Sequence, residues 1–132
     1  MTRLLARDVT LGYEGRTVAR DLSVEIPDDS FTVIVGPNAC GKSTLLAALA
    51  RVLAPQAGAV LLDGAEIASY RSKEVARRLG LLPQTATAPG GITVGDLVAR
   101  GRYPHQQLLK QWSDADEVAV AQAMALTNVA DL

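Results

Sequence analysis

The 132-residue sequence has one cysteine, one histidine, one tryptophan and one phenylalanine. Cys40 alone cannot form a disulfide within the chain, and a reducing compartment fits that composition. Charge of one sign is also missing: 13 Lys and Arg against 14 Asp and Glu leave a net charge of -1. Bulk electrostatics therefore point to neither nucleic acid nor an anionic membrane as partner. The local basic cluster of Arg71, Lys73, Arg77 and Arg78 has Glu74 inside it and reads as a solvated helix face. Long apolar runs are absent. The longest, "TLLAALARVLA", is interrupted by Arg51 and falls far short of the ~20 residues of a membrane-spanning helix. "MTRLLARDVTLGYEG" carries no signal-peptide run. A soluble chain is expected, with any membrane role exercised through a partner. Hydrophobic residues nonetheless make up 48% of the sequence, enough for a core, and the length suits one domain or a piece of one.

Two alternating stretches, "RLLARDVTLGY" and "TVARDLSVEIP", flank "GYEGR" and predict a hairpin. "FTVIV", residues 31–35, is a short β-branched run that predicts a strand buried on both faces of a parallel sheet. "KSTLLAALARVL" predicts a helix closed by Pro55 and Gly58. "AVLLDG" and "LGLLPQ" read as strands, and "SKEVARRL" as a short helix. Thr93 with Asp96 and Ser113 with Asp116 have capping-box spacing and open two more helices, the first broken by "RYPHQ". The order implies an α/β fold with an added helical part. No internal repeat or low-complexity tract interrupts it.

Between the predicted strand and helix lies "GPNACGKST", which meets the pattern G-x-x-x-x-G-K-[ST] at Gly36, Gly41, Lys42 and Ser43. Glycines let successive backbone N–H groups turn inward around a phosphate, and the following helix aims its positive end at the same anion. Lys42 supplies a cation for the β- and γ-phosphates, and the Ser43 hydroxyl is an oxygen ligand suited to Mg²⁺. Cys40 lies just before the helix start; it reads first as a small filler and second as a reactive thiol that nucleotide would shield.

"GPNACGKSTLL" resembles the Walker A segment of ATP-binding cassette (ABC) ATPases, with Pro37 and Asn38 typical of that family. The resemblance runs from Leu4 onward, through "LGYEGRTVARDLSVEIPDDSFTVIVGPN", "GAVLLDG" and "LLPQ". It implies a P-loop NTPase fold of ABC type, present in part. The implied divisions of 1–132 are a β-subdomain with a core strand at 3–35, the Walker A loop and helix at 36–54, core strands at 55–90, and the start of a helical subdomain at 91–132. It implies ATP and Mg²⁺ as cofactors, with nucleotide held by Tyr13, Val18, Gly36, Pro37, Asn38, Ala39, Cys40, Gly41, Lys42, Ser43 and Thr44. Tyr13 would stack on adenine, and Ser43 and Gln84 would face the metal. Ala39 stands where the family most often has glycine; it puts affinity in question if the loop needs a positive φ there.

"GRYPHQ" resembles a segment of importers of ferric siderophores, haem and cobalamin. The resemblance thus implies the ATPase subunit of an importer. Its partners would be integral-membrane permease subunits, a second ATPase subunit in a head-to-tail dimer and, indirectly, a substrate-binding protein. It would sit peripherally on the cytoplasmic face of the cell membrane, without nucleic acid. His105 reads as a surface residue rather than as the family's switch histidine. No "SGG" and no apolar run ending in Asp-Glu occurs, so the signature, the Walker B aspartate with its glutamate, and the switch histidine are missing from these 132 residues. Negligible ATP hydrolysis by this chain alone is expected. So are exposed sheet edges and apolar faces, with instability or self-association. The alternatives are a naturally truncated ATP-binding or interaction fragment, or an ABC ATPase outside transport.

Overall fold

The computed structural model describes residues 2–109 and 112–132. Met1, Lys110 and Gln111, inside the expected 1–132 and 91–132 boundaries, lie outside the described residues. The chain divides into two compact units, Met1–Val75 and Ala76–Leu132.

The first unit is built on the predicted hairpin, β1 (Thr2–Tyr13) and β2 (Arg16–Pro27). Glu14 and Gly15 both take positive φ (26° and 81°), the two-residue turn that matches strand twist. After α1 (Lys42–Leu49) come β3 (Ala57–Leu62), a second such turn at Asp63 and Gly64, and β4 (Ala65–Glu66). The sheet order is β2-β1-β3-β4, with every pairing antiparallel. One face carries the core: Ala6, Val9 and Leu11 of β1, and Val60 and Leu62 of β3, are buried, as are Leu45, Ala48 and Leu49 of α1, which packs against β1. Tyr70 closes the end, its hydroxyl donating to the Leu62 carbonyl (2.9 Å).

Three expectations need correction. Residues 31–35 are neither strand nor helix, and Phe31, Val33 and Val35 are exposed. Among the described residues no strand pairs with them, and a β-branched run becomes a strand only through a ladder. "LGLLPQ" behaves likewise, with Leu81 and Leu82 exposed. The expected helix 42–53 ends at Leu49, before Pro55 is reached. Arg51 adopts φ 61°, Val52 N donates to the Ala47 carbonyl (2.8 Å), and Arg51 N donates to that of Ala48 (3.1 Å). This is a Schellman closure with arginine where glycine is usual, a stop that composition does not announce.

At the boundary between the units lies α2 (Ser72–Ala76), shorter than "SKEVARRL" suggests. In the second unit, Thr93 caps α3 (Val94–Ala99), its hydroxyl accepting from Asp96 N (3.1 Å). "RYPHQ" does not break that helix outright; residues Arg100–His105 tighten into a 3₁₀ helix containing Pro104. Arg77 Nε donates to the Pro104 carbonyl (2.7 Å), so this member of the basic cluster has a structural partner. Ser113 and Asp116 form the predicted capping box of α4 (Asp114–Leu126). Asn128, at φ 57°, closes α4 by the same Schellman geometry as α1. Buried residues are scarce here. Asp116 is buried, and Arg102 Nε donates to it at 2.7 Å. Hydrogen bonds from Arg102 and Ser113 hold the Asp116 carboxyl below the usual aspartate range against the opposing effect of desolvation.

Candidate functional site

The loop 36–41 leads into α1 and is shaped by close approaches. A β-carbon on Gly36 would lie 2.9 Å from Cys40 Sγ. Ala39 sits at φ 62°, so the loop does require the positive φ that its methyl group disfavours. Gly41, at φ 99°, turns the chain into α1, and Leu45 N donates to its carbonyl (2.9 Å). No side chain caps the N-terminus of α1, and no acidic residue occupies its first turn. The helix therefore presents amide donors and the positive end of its dipole towards the loop, the arrangement that binds anions. Lys42 Nζ donates to the carbonyls of Gly36 (2.8 Å) and Pro37, and lies 3.5 Å from Cys40 Sγ. The loop thus closes around its own ammonium group.

The first unit contains most of the expected site residues. Pro37, Asn38, Cys40 and Ser43 are exposed on or beside the loop, whereas Thr44 is buried. Tyr13, opposite Arg16 at the end of β1, is 52% exposed. Val18 of β2 reaches the loop: a β-carbon on Gly41 would lie 2.7 Å from Val18 Cγ1. Gln84 belongs to the second unit, exposed and outside helix or strand. His105 ends the 3₁₀ segment in that unit. Among the described residues no three His, Cys, Asp or Glu side chains cluster as a metal site, and no helix is long and apolar enough to cross a membrane. Gly12 belongs to none of the expected sites. A β-carbon there would lie 2.2 Å from the Arg16 carbonyl oxygen, so the strand pair pinches together beside Val18. A glycine within an alternating strand was the available signal.

The family model for ABC transporters matches residues 19–132. The ferric enterobactin transport ATP-binding protein of Escherichia coli (strain K12) is 58% identical over all 132 residues, which is 49% of that protein. The achromobactin transport ATP-binding protein of Dickeya dadantii (strain 3937) is 47% identical over 97% of this chain and 48% of its own. A solved ATP-binding subunit of an ABC transporter superposes with a TM-score of 0.79 at 19% identity, over 97% of this chain and 51% of the other; it speaks to the fold alone. The chain spans about half the length of the curated relatives it matches. With a loop of this geometry and a family match over most of its length, the chain belongs to the ABC transporter family.

Proposed function

We propose that this chain is the nucleotide-binding half of an ATPase subunit that powers an ABC importer of the ferric-siderophore class. The observation that carries the reading is the loop 36–41 with its uncapped helix and Lys42, in a sequence 58% identical to a ferric enterobactin transport ATP-binding protein. The residues fit a nucleoside triphosphate. The free donors of the α1 terminus and the Lys42 ammonium suit the phosphates, and the Cys40 and Val18 side chains leave no room for side chains at Gly36 and Gly41. Tyr13 would stack on adenine and Val18 would lie near the same pocket. The Ser43 hydroxyl would ligate Mg²⁺, which when bound neutralises phosphate charge, and Gln84 would face the metal and the attacking water.

The divisions 3–35, 36–54, 55–90 and 91–132 follow the ABC subdomain plan under this reading. Partners would be permease subunits, a second ATPase subunit and, through the permease, a substrate-binding protein. The chain would be held peripherally at the cytoplasmic face of the membrane. The residues quoted hold no general base for hydrolysis, so turnover would need the portion of the relatives this chain does not match.

Titration with a fluorescent ATP analogue and Mg²⁺ tests the reading. Binding should weaken roughly 10–100-fold in Lys42→Ala, as expected when a charged hydrogen-bond donor worth about 1.5–3 kcal/mol is lost. Equal binding by the two proteins would overturn it. A steady-state ATPase rate of this chain above that of Lys42→Ala would overturn the expectation that it does not turn over alone.

A further inference from the structure

In the pairing of β1 with β2, Leu11 faces Ala19 and Gly12 faces Thr17. One step along β1 therefore matches two along β2, and Val18 is the extra residue of a β-bulge. Bulges take a side chain out of the regular alternation and aim it elsewhere. Here the aim is visible, because Val18 Cγ1 occupies the space that a β-carbon on Gly41 would need, 2.7 Å away. The bulge itself depends on Gly12, whose missing side chain lets the Arg16 carbonyl approach. Val18 is β-branched, so its methyl groups are held in few orientations and make a fixed stop. Gly41 is the hinge at which the loop becomes α1, at φ 99°, and its carbonyl accepts the first helical bond, from Leu45 N.

We infer that Val18 is a positioning residue for phosphate binding: the bulge in β2 drives it against Gly41 and so fixes the phosphate loop before any ligand arrives. The inference rests on the nucleotide-binding reading and adds, to the place near adenine that the reading gives Val18, a role at the phosphate end. A preorganised loop loses less freedom on binding, so removing the stop weakens any polyphosphate, with or without a base.

The experiment compares wild type, Val18→Ala and the isosteric Val18→Thr, titrated by calorimetry with Mg-ATP and with tripolyphosphate. Val18→Ala should weaken both ligands by a similar factor, about tenfold, and Val18→Thr should stay within about twofold of wild type. Weaker ATP binding with unchanged tripolyphosphate binding would leave Val18 with the base alone and overturn the inference. Amide exchange supplies a readout without ligand. Val18→Ala should speed exchange at Leu45 about tenfold while Val24, in the body of β2, is unchanged. If wild type binds neither ligand, the nucleotide reading fails. A rise at Leu45 alone then still supports the stop, and equal exchange at Leu45 in both proteins overturns it.

Discussion

Two glycines of the first unit share an unusual backbone and differ in their surroundings, and the pair separates strain from collision. Gly58, at φ 72°, opens β3 against the bulge of β1 at Asp8; Gly64, at φ 84°, lies in the turn between β3 and β4. A β-carbon on Gly64 would meet nothing within 4 Å, whereas one on Gly58 would lie 2.2 Å from the Asp8 carbonyl oxygen and 2.5 Å from that of Arg7. Gly64→Ala should therefore cost only the left-handed backbone penalty, about 1–2 kcal/mol. Gly58→Ala bears the same penalty and must also push two strands apart. Overpacking of this kind adds about 1–3 kcal/mol, and backbone atoms cannot rotate away as a side chain would. The total is about 2–5 kcal/mol, a large part of the stability of a domain this size. Part of it would appear as loss of the Asp8 bulge, where Ser23 Oγ accepts from Asp8 N (2.9 Å) and donates to Asp8 Oδ1 (3.0 Å). Urea unfolding followed by circular dichroism at low protein concentration gives both values. Equal losses in the two variants would refute the argument, since they would mean that β3 does not press on the bulge.

Ala39→Gly should be neutral or stabilising by up to about 1.6 kcal/mol. It removes about 1–2 kcal/mol of left-handed strain and adds about 0.4–1 kcal/mol of unfolded-chain entropy; a clear destabilisation in the same urea assay would show that Ala39 is not strained. Asp116 has a depressed native pKa, so its contribution to stability is present above the ordinary aspartate range. It is lost as pH falls through the lower native value. Helicity of the wild type should therefore fall in that acid window, and Asp116→Asn should already lack the increment at neutral pH and show a shallower acid transition; identical acid profiles would contradict the pairing with Arg102. Arg51→Gly should leave α1 intact and be no less stable than wild type, because the Schellman closure requires only the left-handed conformation; a shortened helix by amide exchange would count against it.

The hairpin, the capping box of Ser113 and Asp116, the N-cap at Thr93 and the phosphate loop were legible because each is set by neighbours in sequence. Alternation fixes a strand face, Ser113 and Asp116 find each other within one turn, and a glycine–lysine–serine run carries its chemistry in its spacing. Residues 31–35 and 79–84 were misread for the complementary reason. Their side chains have strand character, but a strand needs a second chain segment to accept its hydrogen bonds, and none among the described residues does so. Helix ends also escaped, since Arg51 takes a conformation that its residue type does not advertise. By itself the sequence determined the family, the phosphate-binding pattern and the local turns. Only the tertiary structure decided that Val18 fills the space beside Gly41, that Ala39 carries a positive φ and that Lys42 closes the loop on its own carbonyls. Those facts depend on where a bulge in one strand delivers a side chain and on how closely backbones approach, and neither is written in the spacing of residue types.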